Sequence, residues 1–333
     1  MNYKPLFETV LSDAPQFSNS SEPIGKNGAR AFVCEPQNKG IKLWEIFGNK
    51  LEMPKSFRIA YDHVTNGLGY ERRRINQLNS SSLLALLCFW NVSKENPITI
   101  KLNNDKVKFT KVYFEVESRV FDHNSSIDIL LISEDNQNWL FLESKFTELL
   151  NPTNRYWLSE KYYCVYKDIS EIIGFTVSDV ATRQHKESGN TVDRKEFEIS
   201  NGCKRYYGGI KQMISHIIGL LQGPVDTSAP HLGAYDKELL PNVILGAILY
   251  DFSYYDVSEY KSLYDNYVKL YEKAFSKDNS LSLISKISEN CRVNVRLSPS
   301  QLTVLSSPLT YQEVFRKCNS GVLLENVSKF YSL

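Results

Sequence analysis

The amino-acid sequence predicts an α/β protein with a central mixed sheet flanked by helices. Segments with helical and strand-like hydrophobic patterns follow one another in the order helix, three strands, helix, strand, helix. The chain also holds 20 Tyr and 17 Phe in 333 residues, and such side chains bury large apolar areas. A substantial core of packed sheet and helices is therefore expected.

The two ends of the chain differ in pattern from its middle. Residues 1–57 are rich in Ser, Asn, Pro and Gly with short apolar runs, so we expect loops and a short strand near residues 31–34. We divide the chain into this loop-rich extension (1–57), a core (58–275) and a C-terminal extension packed on the core (276–333).

The first predicted helix and the three strands after it have clear signals. Serines precede a dense Leu, Ala, Cys, Phe and Trp run, which predicts a buried helix that starts near Ser80. Residues 112–121 alternate apolar and polar side chains as a strand does. Residues 127–132 (IDILLI) and 139–146 (WLFLESKF) are apolar strands, and the turn-like linker SEDNQN joins them as a hairpin.

The rest of the core follows the same alternation. We predict a helix over 156–173 and an irregular polar stretch over 182–204. A helix over 207–221, a strand over 243–250 and a Tyr-rich amphipathic helix over 260–274 complete it.

Composition excludes several function classes. The formal net charge is +1, so the chain has no overall attraction to nucleic acid and would need a local basic surface. Six cysteines without a CxxC pair argue against zinc and disulfide scaffolds. The N-terminus lacks the apolar segment of a signal peptide, and no stretch reaches the roughly 18 apolar residues of a membrane span. We expect a cytoplasmic protein without membrane contact.

The predicted hairpin carries three charged side chains on one face. Glu143 and Lys145 are two residues apart and project from the same side of a strand. A turn centred on residues 135–136 places Asp128 opposite Glu143, whereas a turn centred on 136–137 places it opposite Lys145. In either register, all three groups share a face.

Two carboxylates and a lysine among apolar residues are costly unless a cation organises them. Carboxylate oxygens suit Mg²⁺, with Mn²⁺ as a substitute, and Mg²⁺ also takes waters and phosphate oxygens. Lys145 could then orient or deprotonate a metal-bound water and stabilise charge on the phosphate. This chemistry is phosphodiester hydrolysis. The alternative is a surface hairpin whose Glu and Lys merely pair.

Several sequence blocks in order resemble a known superfamily. They are 67–71 (GLGYE), 79–85 (NSSSLLA), 127–130 (IDIL), 143–148 (ESKFTE) and 211–220 (KQMISHIIGL). They resemble the PD-(D/E)XK restriction-endonuclease-like superfamily, and more specifically a poorly characterised bacterial restriction-endonuclease-like group, over about residues 65 to 275. The resemblance implies a restriction-endonuclease-like core of the order αβββαβ.

The resemblance also implies roles for individual residues. Asp128 and Glu143 would bind the metal together with the backbone carbonyl of Ser144, and Lys145 would complete the catalytic set. Gln212, on the helix after the lysine strand, would lie near the metal-bound water or the phosphate.

A further acid in such sites often comes from the first helix or its lead-in. Glu71 is the first candidate, as a catalytic and metal-binding residue, although the helix interior itself holds no Asp or Glu. Glu115 and Glu117 on the preceding strand are the rivals, and alternation places both on one face. His216 shares a helix face with Gln212, and we interpret it as a packed, hydrogen-bonded histidine.

Basic residues that flank these blocks predict a nucleic-acid-binding surface, because cations near phosphates supply non-specific affinity. The alternative is that these basic residues lie on an ordinary solvent-exposed loop and helix face. The candidates are Arg72, Arg73, Arg74, Lys204, Arg205 and Lys211.

The resemblance and the hairpin together predict a Mg²⁺-dependent DNA endonuclease that acts on double-stranded DNA, as in restriction or defence. The alternatives are a non-catalytic nucleic-acid-binding module with the same fold and a metal-dependent phosphodiesterase that acts on RNA. Cutting both strands would take a homodimer or two successive nicks. A restriction enzyme would also have a methyltransferase partner in the same system.

Overall fold

A computed structural model describes most of the chain: residues 41–48, 52–66, 75, 80–102, 105–150, 155–187, 189–200, 207–223, 241–254, 258–290, 292–316, 323–331 and 333. The helices are α1 (Ile41–Phe47), α2 (Lys55–Asn66), α3 (Ser81–Phe89), α4 (Tyr163–Ile173), α5 (Tyr207–Gln222), α6 (Ser258–Ala274), α7 (Lys277–Glu289), α8 (Tyr311–Arg316) and α9 (Glu325–Tyr331). The strands are β1 (Ile98–Leu102), β2 (Asp105–Val120), β3 (His123–Ser133), β4 (Asn138–Lys145), β5 (Arg155–Ser159), β6 (Thr176–Val177), β7 (Ala181–Glu187), β8 (Asn190–Ser200), β9 (Asn242–Leu249), β10 (Leu302–Val304) and β11 (Leu309–Thr310).

A seven-stranded mixed sheet forms the centre of the described chain. Its order is β1-β2-β3-β4-β9-β10, and β11 pairs with a further part of β9. Strands β1 to β4 are antiparallel neighbours, whereas β9 is parallel to β4, β10 and β11. The predicted α/β class with a mixed central sheet is confirmed.

Helices α3 and α5 pack on opposite faces of this sheet. On β4, Ser144 contacts the start of α3, whereas its neighbour Glu143 contacts α5, as the alternation of a strand requires. Every residue of α3 is buried, and the Ser80 side chain accepts a hydrogen bond from the backbone N–H of Leu83 at its start. A helix that is apolar on all sides has to lie inside the protein.

Helix α5 approaches β2 closely. A Cβ at Gly219 would collide with the hydroxyl of Ser118 and would also contact Val120. The helix therefore lies close against the strand that carries Glu115 and Glu117.

The three predicted strands and the hairpin are confirmed as β2, β3 and β4. Strand β2 begins at Asp105, earlier than predicted, and its register with β3 shifts between Phe109 and Lys111. The turn between β3 and β4 includes Asn136, which has a positive φ of 60°. The predicted helix over 207–221 and strand over 243–250 are confirmed as α5 and β9, and the helix over 260–274 as α6.

Two predictions between β4 and α5 were wrong. The stretch 182–204 is not irregular but largely forms β7 and β8, and the predicted helix over 156–173 starts only at Tyr163, after β5. These strands form a second, antiparallel sheet of order β5-β8-β6, with β7 beside β8. Most side chains of the β7–β8 hairpin are exposed or only partly buried, so no apolar period marks them in the sequence.

The expectation of loops up to residue 57 was also wrong in part. Residues 41–47 form α1, which buries Leu43, Trp44 and Phe47, and α2 begins at Lys55. A seven-residue helix is too short to show a clear helical period in the sequence. The strand expected near residues 31–34 lies outside the described residues, and the division into a core and two extensions stays a prediction. Among the described residues, no helix has the length and apolar character needed to cross a membrane.

Candidate functional site

The register of the β3–β4 hairpin places Asp128 beside Glu143. Ile129 pairs with Leu142, so Asp128 lies opposite Glu143, one residue further from the hairpin turn on each strand. This is the register of a turn centred on residues 135–136, and the alternative register is not formed. Glu143 and Lys145 share the face of β4 that α5 covers.

The row of acids continues onto β2. Phe114 pairs with Ile129 and Val116 with Ile127, so Glu115 lies between these pairs, opposite Asp128. Glu115 is buried and has a positive φ of 51°, which is uncommon for a residue that is not glycine. Glu115, Asp128 and Glu143 therefore occupy one row across three neighbouring strands, which we call the acid row.

Glu143 receives hydrogen bonds from three side chains. Lys145 Nζ and Gln212 Nε2 each lie 2.6 Å from Glu143 Oε1, and His216 Nε2 lies 2.7 Å from Oε2. Burial alone would raise the pKa of Glu143, but the charges of Lys145 and His216 and their hydrogen bonds outweigh it and hold this pKa at about 2. Glu143 is therefore ionised at neutral pH.

Lys145 is held as a cation by the acids around it. Burial alone would lower the pKa of its ammonium group, but Glu143, then Glu148 and Asp128, raise this pKa above its ordinary value. An ammonium group in this setting keeps its proton. Lys145 is therefore suited to donating hydrogen bonds and charge, and poorly suited to taking a proton from water.

Asp128 is in the opposite situation to Glu143. Its Oδ2 accepts a 2.6 Å hydrogen bond from the backbone N–H of Ser144. Burial of the carboxyl group, followed by the charges of Glu143 and Glu115, raises the pKa of Asp128 well above its ordinary value despite that hydrogen bond and Lys145. The folded protein therefore favours the protonated form of Asp128 more than water does.

The other face of β4 fixes the position of the site. Ser144 Oγ donates to the backbone carbonyl of Ser81 at 3.1 Å and lies 2.7 Å from Tyr311 Oη. Glu148 accepts hydrogen bonds from Ser81 Oγ at 2.8 Å and from the backbone N–H of Phe146 at 2.9 Å. The end of β4 is therefore anchored to the first turn of α3.

The remaining predicted site residues have different positions. Glu117 pairs with Ser126 in the register of β2 and β3 and accepts a 2.7 Å hydrogen bond from Asn124. Of the two β2 acids, Glu115 is therefore the one opposite Asp128. Lys211 is partly buried, with its ammonium 5.7 Å from the ring centroid of Tyr156. The other candidates lie outside the described residues, namely Glu71, Arg72, Arg73, Arg74, Lys204 and Arg205.

His216 has a larger part in the site than the sequence suggested. It is packed and hydrogen-bonded, as interpreted, but its partner is the site carboxylate Glu143, and its Nδ1 is buried without a hydrogen-bond partner in the described chain. The four-residue spacing from Gln212 was the available signal, because it places both side chains on one face of α5. Glu148, the last residue of the ESKFTE block, was not singled out either.

The acid row presents carboxylate oxygens, the ligands that a hard divalent cation takes. Within the described ranges, no three side chains of His, Cys, Asp or Glu converge as a ready-made metal cage. Mg²⁺ is usually held by one or two carboxylates, with waters and substrate phosphates as its other ligands, and Asp128 and Glu143 can supply two. Burial, followed by the charges of Glu143 and Glu115, raises the pKa of Asp128, and a bound cation would favour its ionised form instead.

Comparison of the chain with protein families, with curated proteins and with solved structures gives no match. A functional assignment therefore depends on the sequence blocks and on the geometry of the acid row.

Proposed function

We propose that this chain is a Mg²⁺-dependent DNA endonuclease of the PD-(D/E)XK kind, with Mn²⁺ as a substitute ion. The observation that carries the proposal is the acid row: Glu115, Asp128 and Glu143 aligned on three strands, with the protonated Lys145 hydrogen-bonded to Glu143. Carboxylates for a hard cation and an ammonium for a phosphate oxygen are the groups that phosphodiester hydrolysis requires.

The order of elements supports a restriction-endonuclease-like core. Helix α3, strands β2, β3 and β4, helix α5 and strand β9 follow in this order along the chain, with β1 added between α3 and β2, and β9 lies parallel to β4. The second sheet and α4 are inserted between β4 and α5. This order matches the αβββαβ core that the sequence blocks imply.

Each side chain has a distinct role in the proposed reaction. Bound Mg²⁺ would polarise the phosphate and lower the pKa of a water molecule. Asp128 and Glu143 would hold the ion, with Glu115 as the third acid nearby. Gln212 and His216 fix the orientation of Glu143, because they donate to its two different oxygens.

Lys145 would stabilise the substrate rather than act as a base. Lys145 Nζ, which donates to Glu143 in this structure, would donate to a phosphate oxygen on which negative charge develops. Its raised pKa keeps it charged throughout the neutral range. The proton of the attacking water therefore has to leave to another acceptor, such as bulk water or the substrate.

A cleavage assay tests the proposal. Purified protein is incubated with plasmid and linear duplex DNA in Mg²⁺, Mn²⁺ or EDTA, with Asp128→Ala and Lys145→Ala as site variants. Loss of a charge-stabilising group at such a site lowers activity by roughly 10²-fold or more. Glu117→Ala is the matched control, since this acid lies on β2 but is bound to Asn124. Activity that survives both site substitutions would refute the assignment.

The same assay separates the alternatives. Metal-dependent cleavage of RNA but not DNA would favour the phosphodiesterase function. Metal-independent binding without hydrolysis of any DNA form would favour a non-catalytic module. Double-strand cutting would be examined together with the oligomeric state, because it requires a homodimer or two successive nicks.

A further inference from the structure

A basic cavity lies at the end of α5 away from the acid row. Its volume is about 780 Å³, and its lining includes Arg119 at the end of β2 and Gln222 at the end of α5. Segments distant in sequence complete it, with Lys161 before α4 and Arg292 and Arg296 after α7. None of these positions formed part of the predicted site.

The cavity concentrates positive charge in a chain that is nearly neutral. Among the described residues, four cations and one carboxylate line it, an excess of three positive charges against +1 for the whole chain. The carboxylate, Asp122, accepts a 2.6 Å hydrogen bond from Lys161. Clustered cations on the wall of a cleft attract anions.

Its three arginines are positioned but not neutralised. Arg119 Nε donates to the carbonyl of Phe121 at 3.2 Å, and a guanidinium nitrogen of Arg292 donates to the carbonyl of Lys161 at 3.4 Å. The backbone N–H of Arg296 bonds the carbonyl of Leu221 at 2.7 Å. In the described part of the chain, no ion pair joins any of the three to a carboxylate. Guanidinium groups in this state are suited to bidentate contact with phosphate.

Phe121 adds an aromatic ring to the cavity lining. It has a positive φ of 58° in the turn between β2 and β3, and its backbone N–H donates to Gln222 Oε1 at 2.8 Å. Its ring packs edge-on against Tyr162 with centroids 5.2 Å apart. Backbone strain of this kind persists where the surroundings require it. A ring beside arginines can stack against a nucleotide base.

Two elements lead from the acid row to the cavity. On α5, His216 precedes Gln222 by six residues, or about 9 Å of helix. On β2, Glu115 precedes Arg119 by four residues, or about 13 Å of strand. Phosphates of one DNA strand repeat about every 3.4 Å along the duplex axis. The separation therefore corresponds to about three to four nucleotides.

We infer that the cavity binds the phosphate of a nucleotide through Arg119, Arg292 and Arg296, with the base against Phe121. The nucleotide is either part of a nucleic-acid strand or a free mononucleotide, and the two share this chemistry. That the strand also passes through the acid row rests on the proposed function, whereas the affinity of the cavity for nucleotides does not.

Binding measured in EDTA tests the inference without hydrolysis. A short labelled duplex and, separately, dAMP as a competitor are titrated against wild type, Arg292→Ala/Arg296→Ala, and the control Arg58→Ala/Lys269→Ala. The control removes the same charge from exposed positions on α2 and α6. The cavity variant is expected to bind the duplex about 10-fold more weakly, with a salt-dependence slope shallower by about 2. A circular dichroism melt confirms that all variants fold.

The outcomes distinguish the two sources and the two proposals. If the cavity variant binds the duplex more weakly and dAMP does not compete with the duplex on the wild type, the ligand is a nucleic-acid strand. If the variant loses only its binding of dAMP, the ligand is the free nucleotide. Wild-type affinity and salt slope for both probes in the cavity variant would overturn the inference, even if the enzyme cleaves DNA. Cavity-dependent binding without metal-dependent cleavage would instead overturn the proposed function and leave the inference standing. Neutral methylphosphonates at single positions would locate the bound phosphate relative to the cleavage point.

Discussion

Charged side chains in the central sheet and in the second sheet are in opposite environments. Glu143, Lys145 and His216 are at most 6% exposed and meet through hydrogen bonds of 2.6 to 2.7 Å. In the β7–β8 hairpin, the ion pair of Arg194 and Glu187 is about half exposed. The hairpin also buries one acid, Glu196, but its partners His185 and Arg183 are about a third exposed.

Burial of the charges, rather than their number, distinguishes the acid row from the hairpin. Exposed ion pairs contribute about 0–1 kcal/mol, because water and salt screen them. Buried charges lose their hydration and are retained at a cost unless they serve another purpose. The acid row is therefore a strong candidate for chemistry, and the hairpin is a solvated surface.

The largest expected effect is that of Glu143→Gln. The substitution leaves Lys145 and His216 buried without their carboxylate, so the free energy of unfolding at pH 7 should fall by about 3–5 kcal/mol. Because the folded pKa of Glu143 is lowered to about 2, its contribution is present above the unfolded pKa and is lost as the pH falls toward 2. Urea titrations at several pH values measure both. Glu187→Gln is the matched control, and equal losses for the two variants would remove the distinction between the sheets.

A second large effect is expected for Asp128→Asn, with the opposite sign. The folded pKa of Asp128 is raised, so the wild type loses stability as the pH rises from the unfolded pKa toward the folded one, and the Asn variant does not. Asn also preserves an acceptor for the N–H of Ser144. The variant should melt at a higher temperature than the wild type, by a margin that widens with pH.

The effect of Mg²⁺ on stability gives a further comparison of the wild type with Asp128→Asn. An ion at the acid row would bind the ionised carboxylate, so its affinity should increase with pH, and it should raise the melting temperature of the wild type more than that of Asp128→Asn. Calorimetric melts with Mg²⁺ and with EDTA measure this. Equal stabilisation of both proteins by Mg²⁺ would place the ion elsewhere.

A smaller effect is expected for His216→Ala. The loss leaves Glu143 Oε2 unpaired beside a new cavity, at a cost of about 1–3 kcal/mol. The pKa of Glu143 should rise, since one of the two charges that lower it is removed. In urea titrations, the pH at which the contribution of Glu143 to stability is lost should therefore move upward, whereas a merely structural role would reduce stability equally at all pH values.

The smallest effect is expected for Arg194→Ala in the second sheet. Its partner Glu187 stays hydrated, so the free energy of unfolding should change by less than about 1 kcal/mol. DNA cleavage should stay at the wild-type rate. A large loss of cleavage would show that the hairpin contacts the substrate and is more than a solvated face.

The sequence by itself determined those helices and strands in which buried and exposed positions follow a regular pattern. The hairpin of β3 and β4, the cap at Ser80 and the helix that carries Gln212 were all predictable, because local periodicity and capping follow from which side of an element faces the core. The shared face of Glu143 and Lys145 follows from strand geometry alone. The β7–β8 hairpin was missed because neither of its faces is fully buried.

Tertiary structure decided which residues meet. It selected the register that sets Asp128 against Glu143, placed Glu115 rather than Glu117 opposite Asp128, and brought His216 onto Glu143. Arg292 and Arg296 reach the end of β2 only because the chain folds back after α7. Such contacts depend on pairings between distant segments, and a local pattern carries no information on which partner a side chain will find.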